Sequence, residues 1–209
     1  MKLYHCRDSR SLRALWTVEE TGVPCAVEEV RFPPRVFQKE YLAINPLGTV
    51  PCLVDGATRL TESVAICQYL VERYHRHDLG LRPEDPGYGA YLNWLHHSDA
   101  TLTFPLTVAL RYRRLEAPER RLAQAVDDYR DFFLGRLRLL EERVAEHEYL
   151  CDGRFTIADV CVGYALYLGS LPLLDFATAY PPPVRAYLER LMARPAFQRA
   201  AARGTKLFG

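Results

Sequence analysis

Residues 45–56 read Asn-Pro-Leu-Gly-Thr-Val-Pro-Cys-Leu-Val-Asp-Gly, and residues 60–63 read Leu-Thr-Glu-Ser. This stretch restricts the fold more tightly than any other. Proline cannot donate to a strand ladder, so Pro51 belongs at the start of a strand, and the main chain of Val50 just before it is left to pair with something else. Asp55-Gly56 is a strong hairpin signal, with Arg59 and Leu60 on the returning strand. Thr61-Glu62-Ser63 then opens a helix whose apolar positions Ile66, Tyr69, Leu70 and Tyr74 recur at helical spacing. A helix start collects unpaired N–H groups and partial positive charge, which suits a carboxylate. An open strand edge and an anion-holding helix end are thus expected side by side, both suited to a peptide ligand.

The surrounding pattern is consistent with that core. Residues 2–6 read as a strand and residues 11–21 as a helix with Leu12, Leu15 and Trp16 on its apolar face. Ser9 or Ser11 is placed to cap it, and Gly22 and Pro24 stop it. Residues 25–30 form a second strand, parallel to the first through this βαβ unit. Phe32-Pro33-Pro34 begins an irregular segment, followed by a short helix over 37–44. The order βαβ–α–ββα is that of a thioredoxin-like domain. Residues 75–86 carry Gly80, Pro83, Asp85 and Pro86 and read as a linker.

Everything after the linker is helical in pattern. A helix over 88–114 turns Leu92, Leu95, Leu102, Leu106 and Leu110 inward and is kinked at Pro105. A second runs from Pro118 to 146 with Phe132, Phe133, Leu137, Leu140 and Val144 inward. Thr156 and Asp159 form a capping-box pattern at the head of a helix that is apolar nearly all round, hence buried. Pro181-Pro182-Pro183 breaks the chain, and helices from about 184 and 196 close it. The expected fold is a thioredoxin-like α/β domain over 1–76, a linker over 77–86, and an all-α helical-bundle domain over 87–209.

The totals narrow the function classes. The 209 residues are 49% hydrophobic and 25% charged, with a formal net charge of +1, which gives no electrostatic case for nucleic acid or an anionic membrane. The longest uncharged run, residues 160–174, is too short to span a bilayer and contains Pro172. Cysteines 6, 25, 52, 67, 151 and 161 stand singly, with no Cys-x-x-Cys and no metal-ligand spacing. Lone cysteines in apolar surroundings, and a start at Met1–His5 without the apolar core of a signal peptide, lead us to expect the cytoplasm. His96 and His97 are adjacent, so on a helix their rings diverge by roughly 100° and do not serve one ion; no metal is expected.

The sequence Asn-Pro-Leu-Gly-x-Val-Pro-x-Leu-x-Asp-Gly, followed by Thr-Glu-Ser-x-Ala-Ile-x-x-Tyr-Leu, closely resembles the glutathione-binding half of the cytosolic glutathione S-transferases. Phe155 to Val160 is similar to that family's signature at its core helix. The resemblance spans nearly the whole chain, and it implies a cis Val50–Pro51 bond. It also implies a homodimer that detoxifies, adding glutathione, its co-substrate, to small hydrophobic electrophiles with no permanently bound cofactor. A glutathione-dependent isomerase or dehalogenase, or a non-enzymatic binding or scaffold protein of the same fold, would share these residues.

Such an enzyme must hold the tripeptide and keep its thiol ionised, because the thiolate is the nucleophile. A hydroxyl donating to sulfur near a helix start favours the charged form. Matched on Leu3-Tyr4 and Arg13, the serine of the theta- and zeta-like classes falls on Ser9. In the zeta-like Ser-Ser-Cys-Ser-Trp-Arg pattern, Asp8 replaces the first serine and Arg10 the cysteine. Tyr4, Ser11 and Cys6 are the alternatives in or beside this loop, and His5 reads as structural. For the tripeptide, the resemblance implies that Val50 next to Pro51 pairs its main chain with the cysteinyl unit. Ser63 takes the γ-glutamyl carboxylate and Glu62 the ammonium side, while Thr49, Gln38 and Lys39 reach the glycine end. The second-substrate pocket is expected at Phe104, Leu110, Arg111 and Tyr112, with Phe208 from the C-terminal segment.

Overall fold

A computed structural model describes residues 1–204; Phe208 lies outside them. The strands are β1 (Lys2–His5), β2 (Ala26–Glu29), β3 (Cys52–Asp55) and β4 (Thr58–Leu60). The α-helices are α1 (Ser11–Thr21), α2 (Pro34–Phe37), α3 (Ser63–Arg73), α4 (Tyr88–His96), α5 (Phe104–Leu110), α6 (Ala123–Glu146), α7 (Ile157–Ser170), α8 (Pro182–Met192) and α9 (Pro195–Ala202). The described residues divide into two compact units, residues 1–80 with 192–204, and residues 81–191. No helix among the described residues is long and apolar enough to cross a membrane.

In the first unit the sheet order is β2-β1-β3-β4. β1 and β2 run parallel, with His5 opposite Glu29, as the βαβ reading requires. β3 lies antiparallel to β1, with Tyr4 opposite Cys52, and β4 closes the hairpin with Leu60 opposite Leu53. Gly56 turns that hairpin at φ 60°, a conformation glycine adopts without strain. The architecture is thioredoxin-like, and the Val50–Pro51 bond is cis, as is Phe32–Pro33.

The helical domain expected over 87–209 differs from this grouping in its last helix. α9 belongs with the first unit because it packs on α1. The Trp16 and Phe197 rings meet edge to face at 4.9 Å, with both side chains buried. Arg194 grips Glu20 through two bonds of 2.7 and 2.9 Å, and Arg199 reaches Glu19 at 2.7 Å.

The short helix expected over 37–44 is two pieces. Pro34 at a first-turn position starts α2 early, where its missing N–H is no loss. Gln38 then breaks the run at φ −143° and ψ 74°, and Lys39–Ala43 continues as a 3₁₀ turn. The helix expected over 88–114 is also interrupted. A π-helical turn, His97–Thr103, separates α4 from α5, and a second, Arg111–Leu115, follows. Pro105 sits in the first turn of α5, so its missing donor falls where the wider turn ends. Pro118 opens only a 3₁₀ turn; Leu122 is extended, and α6 begins at Ala123. Along α6, Phe133, Leu137, Leu140 and Val144 are buried as expected, but Phe132 is 44% exposed and lies under the Arg136 guanidinium at 4.4 Å.

The second unit is built around α7, buried on nearly every side. Its capping box forms. Thr156 Oγ1 accepts the Ala158 N–H at 3.3 Å, and Asp159 accepts the Thr156 N–H at 2.8 Å. Asp159 also accepts from the Leu150 N–H at 3.0 Å and the Tyr187 hydroxyl at 2.9 Å. Burial lifts its carboxyl to about 6, against the pull of these donors toward the charged form.

Candidate functional site

The loop from β1 to α1 turns on Asp8, held at φ 64°, a left-handed conformation that aspartate tolerates better than most residues. The turn brings the Ser9 N–H to the Cys6 carbonyl at 3.2 Å. Ser9 Oγ donates to the Cys6 carbonyl or to Ser11 Oγ, each at 2.7 Å, and accepts the Ser11 N–H at 3.2 Å. Arg10 occupies the N-cap position without a side-chain cap bond. The expected serine cap is therefore indirect: Ser9 satisfies one of the free N–H groups of α1 from one residue further out.

Ser11 is fully buried and already committed. Its Oγ accepts the Cys6 N–H at 3.1 Å and lies 2.8 Å from His5 Nδ1. Ser9 is 8% exposed, so of the two serines it is the one that borders solvent. Burial pushes the Cys6 thiol up to about 12, aided by the negative charges of Asp8 and Glu29, so it is protonated at neutral pH and unsuited to act as a thiolate. Tyr4 packs its ring 5.3 Å from that of Tyr41. Both belong to a buried apolar cluster with Cys6, Val50 and Cys52. That cluster brings the end of β1 and the residue before Pro51 together.

The other wall is the 45–51 loop. Tyr41 Oη and Asn45 Nδ2 both donate to the Thr49 carbonyl at 2.8 Å. Asn45 also accepts the Leu47 N–H at 3.1 Å. Gly48 sits at φ 59°, and a Cβ there would lie 2.6 Å from that of Arg35, so no larger residue fits. These contacts fix the loop while leaving the Val50 main chain without a hydrogen-bond partner among the described residues. Thr49 is exposed. Gln38 spends its side-chain oxygen on the Arg31 N–H at 2.6 Å, which leaves only its amide N–H groups for a ligand. Lys39 is exposed, with no ion pair among the described residues.

The third wall is the start of α3. Glu62 is its N-cap residue, exposed, with no side-chain bond to the helix. Ser63 is buried, and its Oγ accepts a 3.0 Å bond from Arg13 Nη1. Because the serine oxygen accepts from Arg13, its hydroxyl hydrogen is available to donate outward. Arg13 is a fully buried guanidinium on α1, and it sets a fixed positive charge behind the already positive helix end. The sequence used Arg13 only as a landmark for Ser9; its position among Leu12, Leu15 and Trp16 was the available sign that it faces inward. The roles of Tyr41 and Asn45 carried no comparable signal.

Leu110 is buried in the helical unit and Phe104 is 52% exposed, edge-on to Tyr129 at 6.3 Å. Arg111 is paired with Glu116 at 2.6 Å. Tyr112 borders a cavity of about 430 Å³, which it lines with Arg113, Arg121, Ala123, Val126 and Asp127.

Comparison with known proteins gives a consistent result. Residues 1–72 match the family model for the glutathione S-transferase N-terminal domain, and residues 103–195 match that for the C-terminal domain. The chain is 34% identical to glutathione S-transferase 3 of Zea mays over 178 residues, covering 79% of this chain and 76% of that one. It is 31% identical to glutathione S-transferase 1 of the same plant, covering 97% and 96%. Among solved structures it superposes on a theta class glutathione S-transferase from Xanthomonas axonopodis pv. citri with glutathione bound. That match has a TM-score of 0.80 and 27% identity, and covers 99% of this chain and 98% of that one.

Proposed function

The chain belongs to the glutathione S-transferase family, and from that premise we propose that it is an enzyme joining the thiolate sulfur of glutathione to small hydrophobic electrophiles. The observation that carries this reading is the Arg13–Ser63 bond. It ties the helix that follows the Ser9 loop to the helix start suited to a carboxylate, inside one compact unit. In this reading Ser63 and its N–H take the γ-glutamyl carboxylate, and the unpaired Glu62 takes the ammonium group. The free main chain of Val50, fixed next to Pro51, pairs with the cysteinyl unit as a short added strand. The sulfur then lies over the β1–α1 loop, where Ser9 donates its hydroxyl hydrogen to the thiolate. In doing so it gives up its 2.7 Å bond to the Cys6 carbonyl or to Ser11 Oγ, and the Cys6 carbonyl keeps the Ser9 N–H. Thr49, Lys39 and the amide N–H groups of Gln38 are assigned to the glycine end.

Tyr112 and its cavity are assigned to the second substrate, with Phe104, Leu110 and Arg111 on the same stretch. We assign the protein to the cytoplasm, as a homodimer with a detoxifying role and no permanently bound cofactor. The six cysteines, none disulfide-bonded among the described residues, support the reducing compartment.

The test is turnover of a chlorinated nitroarene with glutathione. Ser9→Ala is expected to lower kcat by about 100-fold or more, the scale for losing one hydrogen-bond donor to a developing anion, while glutathione still binds. Turnover equal to the parent's removes Ser9 from the catalytic role.

A further inference from the structure

Behind Ser9 a chain of hydrogen bonds ends on an imidazole. Ser9 Oγ lies 2.7 Å from Ser11 Oγ, which lies 2.8 Å from His5 Nδ1. The far ring nitrogen, Nε2, faces the Arg203 carbonyl at 3.3 Å. A carbonyl only accepts, so Nε2 carries the ring hydrogen and Nδ1 presents a lone pair to Ser11. His5 is fully buried, and burial favours the neutral ring this tautomer needs. Ser11 Oγ accepts the Cys6 N–H, and its own hydrogen can go to His5 Nδ1 at 2.8 Å or to the Cys6 carbonyl at 3.0 Å. With that hydrogen on His5, Ser11 Oγ is open to accept the Ser9 hydroxyl, whose other acceptor is the Cys6 carbonyl at 2.7 Å.

That arrangement suits the resting protein but not a bound thiolate. When Ser9 turns its hydrogen to sulfur while the Ser11 hydrogen stays on His5, no hydrogen remains between two serine oxygens 2.7 Å apart, and their lone pairs repel. The strain is relieved if every hydrogen moves one place along the chain. His5 then donates from Nδ1 to Ser11, Ser11 donates to Ser9, and Ser9 donates to sulfur. The one hydrogen this requires is the one the thiol loses.

We propose that His5 receives the proton of the glutathione thiol through Ser9 and Ser11, so that thiolate and imidazolium form together. The proposal rests on the reading of Ser9 as the group facing the sulfur. The S–H bond breaks with its electron pair left on sulfur. The proton binds Ser9 Oγ as the Ser9 hydrogen passes to Ser11 Oγ and the Ser11 hydrogen passes to Nδ1. The products are a thiolate, two neutral hydroxyls and an imidazolium whose Nε2–H stays on the Arg203 carbonyl, with no proton exchanged with solvent. Glu29 of β2 favours the charged ring, the Arg203 side chain opposes it, and α1 contributes the Ser11 hydroxyl. The new negative charge on sulfur adds to the side of Glu29. His5 and Ser11 act through Ser9 and are positioning residues.

The test counts protons. Glutathione is titrated into the protein by calorimetry near neutral pH in two buffers of different ionisation heat, and thiolate is read by ultraviolet absorbance in the same samples. The parent is expected to form thiolate while releasing far less than a whole proton for each one formed. His5→Gln keeps an acceptor for Ser11 and a donor for Arg203 but cannot hold the proton. It is expected to raise the bound thiol's pKa by about one unit, a roughly tenfold loss of thiolate at pH values well below that pKa, with each thiolate that still forms releasing a full proton. A whole proton released per thiolate by the parent overturns the relay and leaves the Ser9 assignment standing. Thiolate undiminished in Ser9→Ala overturns that assignment and the relay with it. The decisive count is made on the parent protein, so poor folding of a variant does not blur the answer.

Discussion

Truncating Asp159 to alanine strands three donors in the interior. The Leu150 N–H, the Thr156 N–H and the Tyr187 hydroxyl all end on its carboxylate at 2.8 to 3.0 Å, and all three residues are at most 1% exposed. The Thr156 hydroxyl, 3.2 Å away, is a fourth donor but is free to rotate. Each stranded buried donor costs about 1–3 kcal/mol. Part of that is returned, because the carboxyl itself is unhappily buried. A rise from 3.8 to about 6 is worth about 3 kcal/mol at neutral pH. The net expected loss for Asp159→Ala is about 0–6 kcal/mol, centred on about 3, read as a urea midpoint shift, or a fall of roughly 6–12 °C in Tm at that centre.

The sign of the pH dependence follows from the same shift. Between pH 3.8 and about 6 the native state holds a proton on Asp159 that the unfolded chain has lost. The contribution of this group to stability therefore falls as pH rises through that window and is flat above it. Asp159→Asn, which keeps one acceptor oxygen, is expected to be less damaging than alanine and to lack that fall, which therefore appears in the difference between parent and variant. A Tm for Asp159→Ala within about 2 °C of the parent would refute the view that this carboxylate is what seats α7.

Two further outcomes follow from the first unit. Arg13→Leu removes the charge behind Ser63 and is expected to weaken glutathione binding by about 10- to 100-fold, the range for one charged hydrogen bond, measured by calorimetry on samples checked for an intact unfolding transition. A double-mutant cycle on Glu20 and Arg194, paired through two short bonds with side chains only 10% and 28% exposed, is expected to give a coupling of about 1 kcal/mol or more in unfolding stability; a coupling near zero would mean that α9 is held by its other contacts, such as Trp16 with Phe197 and Arg199 with Glu19.

The legible parts of this chain were those with a local cause. Asp55-Gly56 made a hairpin because only a tight turn suits that pair, and Thr156 with Asp159 made a capping box because both partners lie within one helical turn. The parallel pairing of β1 with β2 followed from the βαβ spacing. Proline positions needed the fold around them. Pro118 opens only a 3₁₀ turn, and the extended Leu122 postpones the long helix to Ala123; Pro105 falls in the first turn of α5, directly after a π-helical turn that nothing local in the sequence signals. Phe132 was placed inward by periodicity, but Phe133 next to it already fills the buried stripe. The attachment of α9 to the first unit rests on contacts between residues some 180 positions apart, such as Trp16 with Phe197, and no local pattern announces them.

The candidate site divides in the same way. Val50, Glu62 and Ser63 were legible because they sit at a strand start and a helix start, where main-chain groups are left over. Ser9 could be placed only by alignment to a landmark, since serine in a loop serves equally well as a cap. His5, Ser11 and the Arg203 carbonyl form one hydrogen-bonded line drawn from β1, α1 and the segment after α9, and that line exists only once the chain is folded.

The most direct measurement is a glutathione titration of the pure protein by calorimetry, with thiolate absorbance followed in parallel. Saturable uptake at or below millimolar concentration, with thiolate that disappears in Ser9→Ala, is the predicted result. No heat of binding at millimolar glutathione, from a protein that unfolds cooperatively, would contradict the functional account while leaving the fold intact.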